Sequence, residues 1–170
     1  IIGDQSVLVY SDQGSTVTNE LGADLTMTGS NSSGFYMING GDLINKASIT
    51  GNTGTSNIGI YNQAGSITNR GAINIGASDL IYVIDGAGNP TTEVDVANSK
   101  YAVGLYGENS TVINAVGANI NVGAGEIGLT IKGGTGTNEG SIVGIGNNTR
   151  GMYAEGGKIT NKGIYVWVMM

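Results

Sequence analysis

One order of apolar and polar positions recurs along this chain. A short apolar run ends in tyrosine, and a glycine-containing turn follows. Then come an apolar residue, threonine or isoleucine, and asparagine, and beyond a further glycine apolar and polar residues alternate. The clearest copy runs Ile58-Gly-Ile-Tyr61-Asn-Gln-Ala-Gly-Ser-Ile-Thr-Asn69-Arg-Gly-Ala-Ile-Asn-Ile75, and Gly151-Met-Tyr153-Ala-Glu-Gly-Gly-Lys-Ile-Thr-Asn161-Lys-Gly163 matches it closely. A fixed internal period marks a stacked repeat architecture.

The anchoring asparagines are Asn19, Asn45, Asn69, Asn114, Asn138 and Asn161, separated by 26, 24, 45, 24 and 23 residues. The gap of 45 is nearly two periods, so a degenerate coil is expected inside it, at about 78–99. Tyr82-Val-Ile-Asp-Gly-Ala-Gly-Asn89 supplies its tyrosine and asparagine, and the only proline, Pro90, follows. The tyrosine column then reads Tyr10, Tyr36, Tyr61, Tyr82, Tyr106, Thr130 and Tyr153, which makes seven coils.

A period near 24 admits helical repeats as well as β-coils, and the interior of each repeat decides between them. Ile73-Asn-Ile75, Ile120-Asn-Val122 and Val94-Asp-Val96 alternate with period two, as strands do. Glycines every few residues would weaken a helix by about 0.8–1.0 kcal/mol each relative to alanine. The expected fold is all-β: a single parallel β-solenoid over 1–170, of about seven coils of roughly 24 residues. At about 4.8 Å per coil it makes a rod roughly 30–35 Å long. One coil buries about six apolar side chains at about 1.5–3 kcal/mol each, whereas ordering its backbone costs about 1–2 kcal/mol per residue. Stability has to come from neighbouring coils.

Composition sharpens this picture. Glycine supplies 31 residues, but proline occurs once and no Gly-X-Y period exists, so the chain is not collagen-like. With 39% hydrophobic and 12% charged residues it has the reverse of the disordered signature. The net charge of −6 and the lack of any basic run leave nucleic acid without an electrostatic footprint. Cysteine and histidine are both absent, which removes disulfides, thiolate chemistry and the usual proton shuttle and metal ligands, so no cofactor or metal is expected. No apolar run approaches the roughly 18–20 residues that span a bilayer, so no direct membrane insertion by this segment is expected. The start at Ile1-Ile2-Gly3 and the apolar end Ile164-Tyr-Val-Trp-Val-Met-Met170 read as cuts in a longer chain.

Residues one period apart lie above one another, so columns carry chemistry. The asparagines are expected to form an internal amide ladder at a turn, the alternative being a row of ligand-binding amides. The next position holds Glu20, Lys46, Arg70, Ala115, Glu139 and Lys162, and Glu108, Lys132 and Glu155 form another column of alternating sign. Opposite charges stacked this way contribute about 0.2–1 kcal/mol when exposed. Glu108 and Glu155 are the nearest approach to a paired-carboxylate site, but with Lys132 between them the charge-ladder reading is preferred. The calcium-binding nonapeptide is not matched, since Gly133-Gly-Thr-Gly136 lacks its aspartate. The tyrosine column reads as partly buried packing or as an aromatic stripe for sugars. The irregular segment at 78–99 is the candidate partner-binding element, through Asp79, Tyr82, Asp85 and Glu93.

Phrases such as Gly-Ser-Ile-Thr-Asn69-Arg-Gly-Ala-Ile-Asn-Ile and Gly-Lys-Ile-Thr-Asn161-Lys-Gly resemble the passenger regions of very large type V autotransporters, closest to the fusobacterial RadD-like adhesins. The resemblance implies a right-handed parallel β-helix displayed at the bacterial cell surface. It implies anchoring through a C-terminal outer-membrane barrel outside this segment, and adhesion to a surface protein or glycan of host cells or other bacteria. The shared motif is structural, so no functional residue transfers. Two other readings stand beside it: a carbohydrate-active β-helix enzyme, and a structural spacer carrying an adhesive tip elsewhere.

Overall fold

A computed structural model describes residues 3–51 and 53–168; the chain ends Ile1-Ile2 and Met169-Met170 lie outside the described residues. The chain is an all-β solenoid whose turns recur about every 24 residues, as the periodicity predicts. Each coil supplies three strand segments. The first coil holds β1 (Val7–Ser11), β2 (Thr16–Asn19) and β3 (Leu25–Thr26). The second holds β4 (Ser33–Met37), β5 (Asp42–Asn45) and β6 (Ile49–Gly51), and the third β7 (Ile58–Gln63), β8 (Ser66–Asn69) and β9 (Ala72–Ile75). After β10 (Tyr82–Ile84) and β11 (Pro90–Val94), the stack resumes with β12 (Val103–Asn114) and β13 (Asn119–Val122). It continues with β14 (Ile127–Asn138) and β15 (Ser141–Ile145), then β16 (Arg150–Glu155), β17 (Lys158–Asn161) and β18 (Ile164–Val168). In β12 and β14 the first two segments run on as one strand through the corner. No helix among the described residues is long and apolar enough to cross a membrane.

Parallel pairing puts like residues in line. Tyr10, Tyr36, Tyr61, Tyr106, Thr130 and Tyr153 are successive register partners, as are Asn19, Asn45, Asn69, Asn114, Asn138 and Asn161. Here the segment expected as a degenerate coil at 78–99 needs correction. Tyr61 pairs directly with Tyr106 and Asn69 with Asn114, so nothing stacks between them. Of the turns that the spacing counts, six stack as rungs, and the remaining one leaves the stack as the antiparallel hairpin β10–β11. Tyr82 therefore stands outside the tyrosine column. The closing run Ile164–Val168, which departs from the repeat in sequence, nevertheless pairs along its length with β15 as a regular rung.

The core is a set of inward columns. Phe35, Ile60, Leu105 and Leu129 line one face, Leu43, Ile67 and Val112 the second, and Ile49, Ile73, Ile120 and Ile142 the third, all buried. Where a column lacks bulk, a neighbour fills it. A Cβ at Gly136 would lie 2.7 Å from both Ile131 Cγ1 and Leu129 Cδ2, and one at Gly107 would lie 2.5 Å from Val112 Cγ2. A further column, Gly34, Gly59, Gly104 and Gly128, brings the first face against the isoleucines of the third. At each, a Cβ would fall 2.6 Å from the next rung's carbonyl oxygen and close to an isoleucine Cγ2. Only glycine allows that approach.

At the corner after the second segment the asparagine amides close a continuous chain. Asn19 Nδ2 donates to Asn45 Oδ1 (2.7 Å), Asn45 to Asn69 (2.8 Å), Asn69 to Asn114 (2.8 Å), Asn114 to Asn138 (2.8 Å) and Asn138 to Asn161 (2.7 Å). The second amide hydrogen goes to a nearby carbonyl, as from Asn45 to Ala47 O (3.0 Å) and from Asn69 to Gly71 O (3.2 Å). The buried members, Asn19, Asn45, Asn69, Asn114 and Asn138, are thus hydrogen-bonded from within.

Candidate functional site

The hairpin is inserted where the third face hands over to the next coil. Elsewhere Gly123–Glu126 makes that crossing, whereas the chain between β9 and β12 carries residues 76–102. Its turn is built by Asp85, whose Oδ1 accepts from Ala87 N and Asn89 N, both at 2.9 Å. Asp95 organises the return through Ala97 N (3.1 Å) and Asn98 Nδ2 (2.6 Å). These hydrogen bonds favour the ionised forms, so both carboxyls are held below the usual range, Asp85 through Asn89 and Ala87 N–H, Asp95 chiefly through the Asn98 side chain. Pro90 opens β11, a position that tolerates its missing N–H.

The stem is tied down on both sides. Asp79 and Lys100 exchange backbone hydrogen bonds at 2.9 Å, and Ser56 Oγ of the preceding coil donates to Lys100 O at 3.0 Å. Ser78 Oγ donates to Gly125 O of the following coil (2.8 Å) and accepts from Ala102 N (2.9 Å). Leu80 lies over Gly125, in space that a Cβ there would take. The hairpin is a seated element with a fixed base.

Between this hairpin and the last turns of the stack run two adjoining hollows. One, about 760 Å³, is lined by Tyr82, Pro90, Thr91, Thr92, Asn147, Asn148 and Trp167. The other, about 450 Å³, is lined by residues that include Thr92, Glu93, Tyr101, Asn148 and Arg150, so that Thr92 and Asn148 belong to both. Trp167 is register-aligned with Gly144, in the column where Ile75 and Val122 are buried, and like every residue of β18, the last described strand of the stack, it is exposed. The Arg150 guanidinium lies 4.9 Å from the centre of the Tyr101 ring. Asn148 holds a left-handed backbone at φ 59°, which turns the loop Gly146–Thr149 toward the hairpin. The side chains of Thr92, Glu93, Asn147 and Asn148 make no hydrogen bond or ion pair among the described residues.

The four residues singled out in sequence separate on inspection. Tyr82 and Glu93 line the cleft, Asp79 belongs to the stem, and the Asp85 carboxylate is taken up by the turn. Asn147, Asn148, Arg150 and Trp167 escape a sequence reading because they come from three other segments. A local signal for the hairpin does exist, since Asp85-Gly-Ala-Gly88 between two β-prone runs is a glycine-containing turn, in which Gly88 takes the left-handed backbone at φ 85°.

The charged columns are paired in part. Lys46 pairs with Glu20 (3.0 Å), Lys162 with Glu139 (3.2 Å) and Lys132 with Glu108 (3.9 Å). Glu108 Oε2 also accepts from Tyr61 Oη at 2.8 Å, and burial, with that hydrogen bond, drives the Tyr61 pKa up. Tyr10, Tyr36, Tyr61 and Tyr106 stack with centroids 6.2, 4.6 and 5.3 Å apart and planes within 16°. Their faces cover one another, which leaves mainly edges outward. Among the described residues no group of three or more acids stands close enough to hold a metal ion.

A second polar column was not apparent in the sequence. Ser32, Asn57, Glu126 and Thr149 are all buried at the corner where each coil begins. Glu126 accepts from Gly123 N through Oε2, its Oε1 has no protein partner, and burial pushes its pKa up to about 8. The chain matches no protein-family model, and no curated protein or solved structure is significantly similar to it.

Proposed function

We propose that this chain is a structural and adhesive segment of a bacterial surface autotransporter passenger. In this reading the solenoid is a rigid extracellular support, held at the outer membrane by a barrel outside the segment. The hairpin presents the contact surface to a protein or glycan on a host cell or another bacterium. The observation that carries the reading is the hairpin itself. The asparagine and charge ladders pair polar groups along the stack, whereas the inserted hairpin is anchored at its base and borders a cleft in which the side chains of Thr92, Glu93, Asn147 and Asn148 make no hydrogen bond or ion pair among the described residues. Function grafted as a loop on a rigid scaffold follows the same logic.

The test is excision. Replacing residues 77–101 by Ala-Gly recreates the crossing Gly123–Glu126 between Gly76 and Ala102. Both chains are expected to give the same β-type circular dichroism, and only the parent is expected to inhibit attachment of whole cells. Equal inhibition by the two would remove the hairpin from the contact, and failure of both would leave a spacer.

A further inference from the structure

We propose that Glu126 is a pH-sensitive latch on the hairpin: protonated, it lets the crossing Gly123–Glu126 close against the stem, and ionised, it opens that crossing and loosens the hairpin while the stack stays paired. Whatever the hairpin contacts, its seat is the crossing of the following coil. Ser78 Oγ donates to Gly125 O at 2.8 Å and accepts from Ala102 N at 2.9 Å, so one hydroxyl joins the start of the insertion, its end and the crossing. Leu80 covers Gly125, its Cδ1 lying 2.5 Å from where a Cβ would stand. Glu126 is the next residue along the crossing, and it is fully buried.

A buried carboxyl is stable as an anion only with a cation or several donors beside it. Glu126 has neither: Oε2 accepts from Gly123 N, and Oε1 has no protein partner. Its place in the stack accounts for this. The residues that precede the register partners Ser33, Ile58, Val103, Ile127 and Arg150 are Ser32, Asn57, Ala102, Glu126 and Thr149. Asn57 accepts from Ser32 N and donates to Gly29 O, both at 2.9 Å, and Thr149 Oγ1 donates to Gly123 O at 2.8 Å. Beneath Glu126 the insertion returns to the stack at Ala102, whose side chain has no hydrogen-bonding atom. The charged and titratable residues on the elements packed against Glu126 are Asp79, Lys100 and Tyr101 on the stem side and Arg150 on the following coil, and β13, which leads into the crossing, carries none. Among the described residues none of them makes an ion pair or hydrogen bond with its carboxyl, and the Arg150 guanidinium lies over the Tyr101 ring instead.

The carboxylate therefore reaches water by moving the crossing, which breaks the bond from Ser78 and uncovers Leu80. The crossing is a part that can give way, since it holds two glycines and Glu126 N meets Gly123 O only at 3.4 Å. The asparagine ladder runs through a different corner, where Asn114 and Asn138 stay joined at 2.8 Å. Opening is local for that reason. Burial raises the Glu126 pKa from 4.5 to about 8, so between these values each pH unit favours the open form about tenfold, and the gain levels off above.

Site-resolved amide hydrogen exchange of the full chain tests the latch, read as protection factors so that the intrinsic pH dependence of exchange is divided out. From about pH 6 to about pH 8 the stem amides of Asp79, Lys100 and Ala102 are expected to lose about 50-fold in protection. The rung amides of Thr68, Ile113 and Thr137 are expected to keep theirs. Glu126→Gln, which cannot ionise, and Glu126→Thr, which copies Thr149 of the next coil, are each expected to hold stem protection constant to within about twofold over the same range. Stem protection that does not change with pH in the parent overturns the proposal, and so does an equal loss in stem and rungs, which would mean global loosening. A variant that keeps the parent's fall overturns it as well. No binding partner enters these measurements, so their failure leaves the hairpin as contact element untouched, and failure of the excision test leaves the latch untouched.

Discussion

Replacing Asn69 by alanine strikes the middle of the amide ladder. Asn69 is fully buried; its Oδ1 accepts from Asn45 Nδ2, and its Nδ2 donates to Asn114 Oδ1, both at 2.8 Å. Asn69→Ala strands one N–H of Asn45 and the carbonyl oxygen of Asn114 in an interior that water does not reach. Each stranded buried group costs about 1–3 kcal/mol, so the expected loss for the two is about 2–6 kcal/mol. Asn161 ends the described ladder and is exposed, and there solvent replaces the missing partner. Asn161→Ala should then cost about 0.5–1.5 kcal/mol, the net worth of one hydrogen bond. Guanidinium denaturation followed by circular dichroism measures both, with hydrogen exchange locating the opened rungs if the repeat array unfolds in stages. The double change Asn69→Ala with Asn114→Ala should cost clearly less than the two singles together, because the second removes a group the first had already stranded. Equal losses at Asn69 and Asn161, or strict additivity in the pair, would refute the ladder as a source of stability.

Two other predictions concern the interior. Gly104→Ala places a methyl 2.6 Å from Gly128 O and 2.7 Å from Ile120 Cγ2, so a loss of about 1–3 kcal/mol or more is expected in thermal melts. Gly86→Ala, with nothing within 4 Å of the new methyl, should stay within about 0.5 kcal/mol. Glu126 holds its proton more tightly in the fold than in the unfolded chain, its pKa rising from 4.5 to about 8. The fold therefore carries no penalty from it below about pH 4.5 and loses stability progressively up to about pH 8. At about 1.4 kcal/mol per unit this amounts to about 5 kcal/mol at most. Glu126→Gln should flatten that slope, and melts at acid and mildly alkaline pH that keep the parent's slope in the variant would contradict the assignment.

Much of this molecule follows from its sequence alone. Glycine corners and two-residue alternation select strands, and the recurrent Asn19-to-Asn161 phrase sets a period that backbone pairing then realises rung by rung. Charges placed next to those asparagines already announce ladders, since a column repeats whatever its period repeats. The tertiary structure decided what lies inside the gap of 45 residues between Asn69 and Asn114. An insertion one period long leaves the count intact, so spacing cannot tell a stacked rung from a chain that swings out and returns. Only the pairing of Tyr61 with Tyr106 distinguishes them, because hydrogen bonds join neighbours in space. The cleft depends on the fold even more strongly. Thr92, Asn148 and Trp167 are far apart along the chain and meet because a hairpin seated on Gly125 lies beside the turns that follow it. The glycines at 34, 59, 104 and 128 had a reason equally invisible in one dimension: two faces approach there more closely than any side chain permits.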